Sequence, residues 1–171
     1  MKKGLVVWIC GLAGSGKSTI AREVRNKLSL YQDNVIYLDG DELREILGNF
    51  DYDRDSRIEM AKKRALMANF LAQQGMIVLV STISLFNEIY TFNRALMNSY
   101  CEIFVDCDFE ELLKRDQKNL YSNAINKKIT NVVGVDIPFD IPQADLVVYN
   151  NKQEALQNNV AMIIETIQSK I

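Results

Sequence analysis

The stretch GLAGSGKST, residues 11–19, sets Gly11 four residues ahead of the run Gly16-Lys17-Ser18. That spacing suits a loop wrapped around a polyphosphate, where successive backbone N–H groups must point inward and side chains would block the approach. Gly11, Leu12, Ala13, Gly14, Ser15 and Gly16 form the wrap, Lys17 can reach the β- and γ-phosphates of a bound nucleotide, and the Ser18 hydroxyl can ligate Mg²⁺. Thr19 lies in the first turn of a helix whose positive end faces the anion. The apolar LVVWIC before the loop and the helix-like STIAREVRNKLSL after it supply the strand–loop–helix setting the motif requires. Lys2 and Lys3 ahead of that apolar run also resemble an export signal, but cleavage there would destroy the phosphate loop.

A second group lies in LDGDELR, residues 38–44. In an open parallel sheet, ligands bind beyond the carboxyl ends of the strands, so Asp39 and Asp41 are expected beside the phosphate loop. One carboxylate can help to hold Mg²⁺ and the other can accept the proton of an attacking hydroxyl. The plainer alternative is that Asp41 caps the next helix, with Gly40 making the turn. Arg44 shares a helical face with Asp41 and can bind an anionic group of the acceptor. Histidine is absent, so any proton acceptor is a carboxylate, a lysine, a tyrosine or water. Cys10, Cys101 and Cys107 are too few and too scattered for a disulfide framework or a zinc site, and read as buried thiols.

These residues need a frame. LVVWIC, NVIYLD, MIVLVS, EIFVDC and ADLVVYN are short β-branched runs separated by longer amphipathic segments, the pattern of an α/β fold with helices on both faces of a parallel sheet. Helices are expected near 17–30, 41–47, 53–74, 86–98, 108–116 and 152–169. The polar stretch from about 117 to 143 holds both prolines and reads as one long irregular segment, a lid that excludes water. Within it, Lys127 and Lys128 can approach phosphates on closure. AKKRA, residues 61–65, reads as a solvated helix face, with an extension of the acceptor's anion site as the alternative. Phe86, Tyr90 and Phe92 read as core or dimer surface.

Composition narrows the partners. With 171 residues, 48% of them hydrophobic, the chain suits one domain spanning 1–171. A net charge of −2 gives no basic footprint for nucleic acid. No apolar stretch approaches the ~20 residues that span a bilayer, so no membrane partner is expected and the cytoplasm is the expected location.

GLAGSGKSTIA, YLDGDELR, IVLVSTISLF and KRDQKNLYSNAI together resemble an adenylyl-sulfate kinase, and VGVDIPFDIP resembles the segment that follows the lid in that family. The resemblance covers nearly the whole chain. It implies a P-loop kinase fold, with a five-stranded parallel sheet and a lid, that moves the γ-phosphate of ATP to the ribose 3′-hydroxyl of an acceptor nucleotide. By position, Asp41 resembles the family's catalytic base and Asp39 a residue of its Mg²⁺ environment. Arg44 and Arg57 match two arginines that hold the acceptor's phosphate and anionic end. Tyr52 stands where an aromatic helps to enclose the acceptor base, and Ile83 and Ser84 fall in the loop lining the same pocket. Ser84 also matches a serine described as a phosphoryl carrier, although direct in-line transfer needs only positioning and charge stabilisation. Arg115 matches an arginine at the lid base that covers ATP, and Lys128 is assigned to the acceptor. A homodimer is implied by the family alone.

The departures bear on the acceptor. Glu42 replaces the amide of the family's DGDN, and Met60 replaces an acceptor-binding asparagine. In the family's KGF stretch, the lysine and the base-stacking phenylalanine align with Thr130 and Val132. A lost aromatic stack removes about 1–3 kcal/mol per base. The expected acceptor is therefore a different activated nucleotide. Relatives that resemble this chain include kinases of cytidine diphosphoramidate from bacterial capsule pathways, and a pyrimidine needs less stacking surface than adenine. The alternatives are adenylyl sulfate itself, the acceptor of another P-loop small-molecule kinase, and a regulatory nucleotide switch. The last lacks NKxD and a strand-end Asp-x-x-Gly.

Overall fold

The computed structural model describes residues 4–171; Lys2 and Lys3, the basic start of the export-signal alternative, lie outside the described residues. Strands β1 (Leu5–Cys10), β2 (Val35–Asp39), β3 (Ile77–Thr82), β4 (Tyr100–Asp106) and β5 (Leu146–Tyr149) pair in parallel in the order β2-β3-β1-β4-β5. Helices α1 (Lys17–Leu28), α2 (Gly40–Leu47), α3 (Arg54–Gln73), α4 (Asn87–Leu96), α5 (Phe109–Arg115), α6 (Leu120–Ile125) and α7 (Ala155–Gln168) complete the chain. All five strands thus form where the β-branched runs placed them.

β1 is buried along its whole length because both faces of the sheet are covered. Its alternate residues serve two layers. Leu5, Val7 and Ile9 pack with Ile20, Val24 and Leu28 of α1 and Val160, Ile163 and Ile167 of α7. Val6, Trp8 and Cys10 pack on the opposite face with Ala61, Ala65 and Ala68 of α3 and Ile89 of α4. The small alanine ridge lets α3 lie close to the sheet. Register then brings the strand ends level: Cys10 pairs with Thr82 and Phe104, and Asp39 pairs with Ser81. The chain leaves β1 toward one edge of the sheet and later returns on its other side, so a crevice opens at the end of β1.

The segment 117–143 is not irregular throughout, which corrects the sequence expectation. A 3₁₀ turn at Gln117–Asn119 leads into α6. Tyr121 and Ala124 give that short helix a buried face, and the Asp116 carboxylate accepts the N–H of Tyr121 (2.9 Å) and Ser122 (3.3 Å) at its start. The polar residues around this small apolar face hid it. Asp116, Lys118, Asn119, Lys127 and Asn131 are the non-glycine residues with positive φ among the described residues; Asp116 immediately precedes this stretch and the other four fall in it.

The three cysteines are free and buried. Burial pushes the Cys101 thiol up to about 12 and the thiols of Cys10 and Cys107 upward as well. Phe86 and Tyr90 are buried and Phe92 packs against the core. Among the described residues, no helix is long and apolar enough to cross a membrane.

Candidate active site

Four consecutive carbonyls of the phosphate loop each accept a side-chain hydrogen bond. Lys17 Nζ donates to Leu12 O (3.1 Å), the Tyr121 hydroxyl to Ala13 O (2.6 Å), Arg115 Nη1 to Gly14 O (3.1 Å) and Asn150 Nδ2 to Ser15 O (2.7 Å). With the carbonyls engaged by the protein, the N–H groups of Gly14, Gly16 and Lys17 find no acceptor among the described residues and are left for an anion. Gly16 has φ 92°, and a Cβ there would stand 2.3 Å from Asn150 Nδ2, so the loop can close on Asn150 only with glycine at this position. Burial pushes the Lys17 ammonium down to about 8, against the attraction of Asp41 and Asp39.

Beside the loop, the two carboxylates of LDGD have different surroundings. Asp39 is buried; its Oδ1 accepts the N–H of Asp41 (2.9 Å) and its Oδ2 accepts the Tyr37 hydroxyl (2.7 Å). Asp39, not Asp41, therefore caps α2. Burial pushes its carboxyl up, but the Tyr37 hydroxyl, the amides of Asp41 and Glu42 and the charge of Arg22 outweigh this and hold it below the usual carboxylate value. The Asp41 carboxylate is exposed on the cavity wall and makes no hydrogen bond or ion pair among the described residues. Ser18 Oγ lies 3.4 Å from Ser81 Oγ, which is 2.7 Å from the Tyr37 hydroxyl, so Ser18 and Asp39 belong to one oxygen-rich corner. Its donors, one carboxylate and hydroxyl oxygens, are of the kind Mg²⁺ takes together with waters and substrate phosphates.

The cavity extends from this corner with a volume of about 500 Å³. Three arginines converge on it. Arg44 Nη1 donates to Asp51 O (2.7 Å) and Asn49 Oδ1 (3.0 Å), and Arg57 donates to Tyr52 O (2.7 Å) and Asn131 O (2.8 Å). Arg64 donates to Thr82 Oγ1 (2.7 Å) and Gly40 O (3.1 Å). Every one of these acceptors is neutral, and none of the three guanidiniums pairs with a carboxylate among the described residues. Burial, and after it the charge of Arg44, pushes Arg57 below the usual guanidinium value and Arg64 down to about 10. Cations crowded together and partly stripped of water define a place for an anion.

Tyr52 lines the cavity, and its ring carries the guanidiniums of Arg44 (4.6 Å) and Arg57 (5.3 Å). Ile83 and Ser84 also line it; Ser84 Oγ is buried 2.7 Å from Thr82 Oγ1. Val132 and Thr130 stand on the lid side of the wall, whereas Met60 is fully buried and Glu42 is exposed, neither of them on the wall. Arg115 lies behind the loop, braced by Glu111 (3.1 Å) and Asn150 O (2.7 Å). Lys128 is exposed and does not line the cavity, whereas Lys118, from the same segment 117–143, does. The solvated-face expectation for AKKRA holds for Lys62 and Lys63 but not for Arg64, which is 3% exposed. Its signal was available in the sequence: Arg64 falls between Ala61 and Ala65 on the inward stripe of α3. Asn150 and Tyr121 gave no such local signal.

A phosphate loop, a carboxylate beside it with no partner among the described residues and an arginine-lined cavity on this sheet order are the parts of a P-loop kinase. The adenylylsulphate kinase family model matches residues 3–149, and the chain belongs to that family. It is therefore a phosphotransferase acting on a hydroxyl. It is 56% identical over 162 residues to a cytidine diphosphoramidate kinase from Campylobacter jejuni, covering 95% of both chains. A probable adenylyl-sulfate kinase from Aeropyrum pernix is 30% identical, covering 100% of this chain and 96% of its own. The APS kinase of Mycobacterium tuberculosis, solved with AMPPNP and APS, superposes with a TM-score of 0.88 at 30% identity over 98% of this chain and 99% of its own.

Proposed function

We propose that this kinase transfers the γ-phosphate of ATP, with Mg²⁺, to the ribose 3′-hydroxyl of cytidine diphosphoramidate. The observation that carries the acceptor is the composition of the cavity: three guanidiniums without carboxylate partners face a base wall that has Val132, not an aromatic, on its lid side. The arginines suit a dianionic diphosphate-like group, and a lid side without a ring offers less stacking surface, which suits a pyrimidine. The high identity to the Campylobacter kinase supports the same acceptor.

In this reading, the amides of Gly14, Gly16 and Lys17 and the Lys17 ammonium hold the β- and γ-phosphates. Ser18 and Asp39 are the residues that would hold Mg²⁺, which when bound neutralises charge on the transferring phosphoryl group. Arg44, Arg57 and Arg64 seat the acceptor's anionic end. Asp41 accepts the proton of the 3′-hydroxyl as its oxygen attacks in line with the departing β-phosphate oxygen. Ser84 is engaged with Thr82, and no carboxylate or lysine hydrogen-bonds its hydroxyl among the described residues, which favours direct transfer over a phosphoserine carrier. The lid keeps water from competing for the phosphoryl group.

Phosphorus NMR of the protein with Mg-ATP and, in separate tubes, cytidine diphosphoramidate or adenylyl sulfate tests the acceptor. A new 3′-phosphomonoester signal with the cytidine compound is expected. A signal with adenylyl sulfate alone overturns the assignment.

A further inference from the structure

Asn131 is a residue of the cavity wall whose backbone is fully engaged. Its N–H donates to Asp136 Oδ2 (2.7 Å), and its carbonyl accepts from Arg57 Nη2 (2.8 Å). The following amide, of Val132, donates to the other oxygen of Asp136 at 2.6 Å. The residue lines the cavity, and no group among the described residues hydrogen-bonds its carboxamide. Its φ of 66° is a left-handed conformation in which glycine rests easily and asparagine is a preferred exception. Thr130 and Val132 align with the lysine and phenylalanine of KGF, so Asn131 takes the place of a glycine. A residue type with a backbone penalty, a free amide and a position on the acceptor wall is best explained by what that amide contacts.

A carboxamide presents an acceptor and two donors. Cytosine carries its N4 amino donor next to its N3 acceptor, so the two edges can meet in a bidentate pair of the kind asparagine makes with an adjacent donor and acceptor on a base. The neighbouring Val132, 4% exposed, offers an apolar contact but no stacking ring. Recognition therefore shifts from the face of the base to its edge. The tether from Arg57 to the Asn131 carbonyl also links the base wall to the anion site, fixing the distance between the two ends of the acceptor.

We propose that the Asn131 carboxamide reads the base edge of the acceptor, accepting from the N4 amino group of cytosine and donating to N3. This rests on the cytidine acceptor proposed above. Asn131→Gly removes the amide and tolerates the positive φ, while Asn131→Asp keeps the shape but turns an acceptor on N3. Acceptor kcat and KM are compared for wild type and both variants, using cytidine diphosphoramidate and its 2-pyrimidinone counterpart, which lacks the N4 amino group. The Kd for ATP reports the integrity of the rest of the site.

Wild type is expected to prefer the cytidine compound by about tenfold or more in kcat/KM. Both variants should raise the acceptor KM, lose that preference and bind ATP as before. A preference retained in N131G, or an unchanged acceptor KM in both variants, overturns the role of Asn131 and leaves the cytidine acceptor standing. A wild type that phosphorylates adenylyl sulfate and neither pyrimidine compound overturns the acceptor assignment and this pairing together.

Discussion

The carboxylate of Asp39 accepts the backbone N–H of Asp41 at 2.9 Å, so one acid of the pair fixes the chain position of the other. Two aspartates two residues apart therefore differ: the Asp39 carboxylate accepts from Tyr37 and from the backbone of Asp41, whereas the Asp41 carboxylate has no hydrogen-bond partner among the described residues. Asp41→Asn should reduce kcat by about 10²–10⁴ with the Kd for ATP unchanged, as expected for removal of a general base. Asp39→Asn should instead lower stability by about 1 kcal/mol or less, since asparagine still caps, and raise the Mg²⁺ concentration needed for half-maximal rate. Single-turnover rates, melting curves and a metal titration separate the two variants.

Lys17 makes nucleotide binding depend on pH in one direction. Its ammonium titrates at about 8 in the free protein, and a phosphate placed beside it raises that value. Below pH 8 the charge is already present and this group adds no slope. Above pH 8 binding must take up a proton, so the Kd for ATP should rise by up to about tenfold per pH unit. Titrations between pH 7 and 9.5 check this, and a Kd that is flat to pH 9.5 would contradict it.

Gly16 and Gly48 both have positive φ, yet their substitutions should differ sharply. At Gly48 a Cβ meets nothing within 4 Å, so Gly48→Ala should cost about 1–2 kcal/mol of stability and leave activity intact. At Gly16 the Cβ collides with Asn150, so Gly16→Ala should break the Asn150 tether and abolish measurable ATP binding. ATP titration and thermal melting of the pair provide the comparison.

Arg64 joins α2 to the end of β3 through Gly40 and Thr82. Arg64→Met should preserve the packing volume beside Ala61 and Ala65 while removing both hydrogen bonds and one charge. Hydrogen bonds from charged groups contribute about 1.5–3 kcal/mol, so acceptor kcat/KM should fall roughly 10- to 100-fold. An unchanged acceptor KM would assign Arg64 to the scaffold alone.

Local signals carried much of this molecule. The phosphate loop was legible because its chemistry fixes both residue types and spacing, and the five strands because buried parallel strands are continuous apolar runs. The pair Asp39 and Asp41 was legible as a pair, but which of them caps α2 depends on one backbone turn at Gly40. Arg64 looked like part of a basic surface because its neighbours Lys62 and Lys63 are exposed, and only the packing of α3 turns it inward. Asn150 reaches a loop 135 residues away, a contact no local pattern encodes. Helix α6 was hidden because so short an element is stabilised by what it packs on more than by its own sequence.

The four pinned carbonyls of the phosphate loop have a consequence for how nucleotide is captured. Ordering a backbone residue removes about 1–2 kcal/mol of conformational freedom, and four side-chain hydrogen bonds from the fold hold this loop in place. A loop braced by its own protein leaves less of the phosphate contact energy to be spent on ordering it. Two of the four pins, Arg115 and Tyr121, come from the base of the lid. The backbone around the phosphates is thereby joined through Tyr121 to the segment 117–143, so a displacement of that segment would be transmitted to the groups that face the nucleotide.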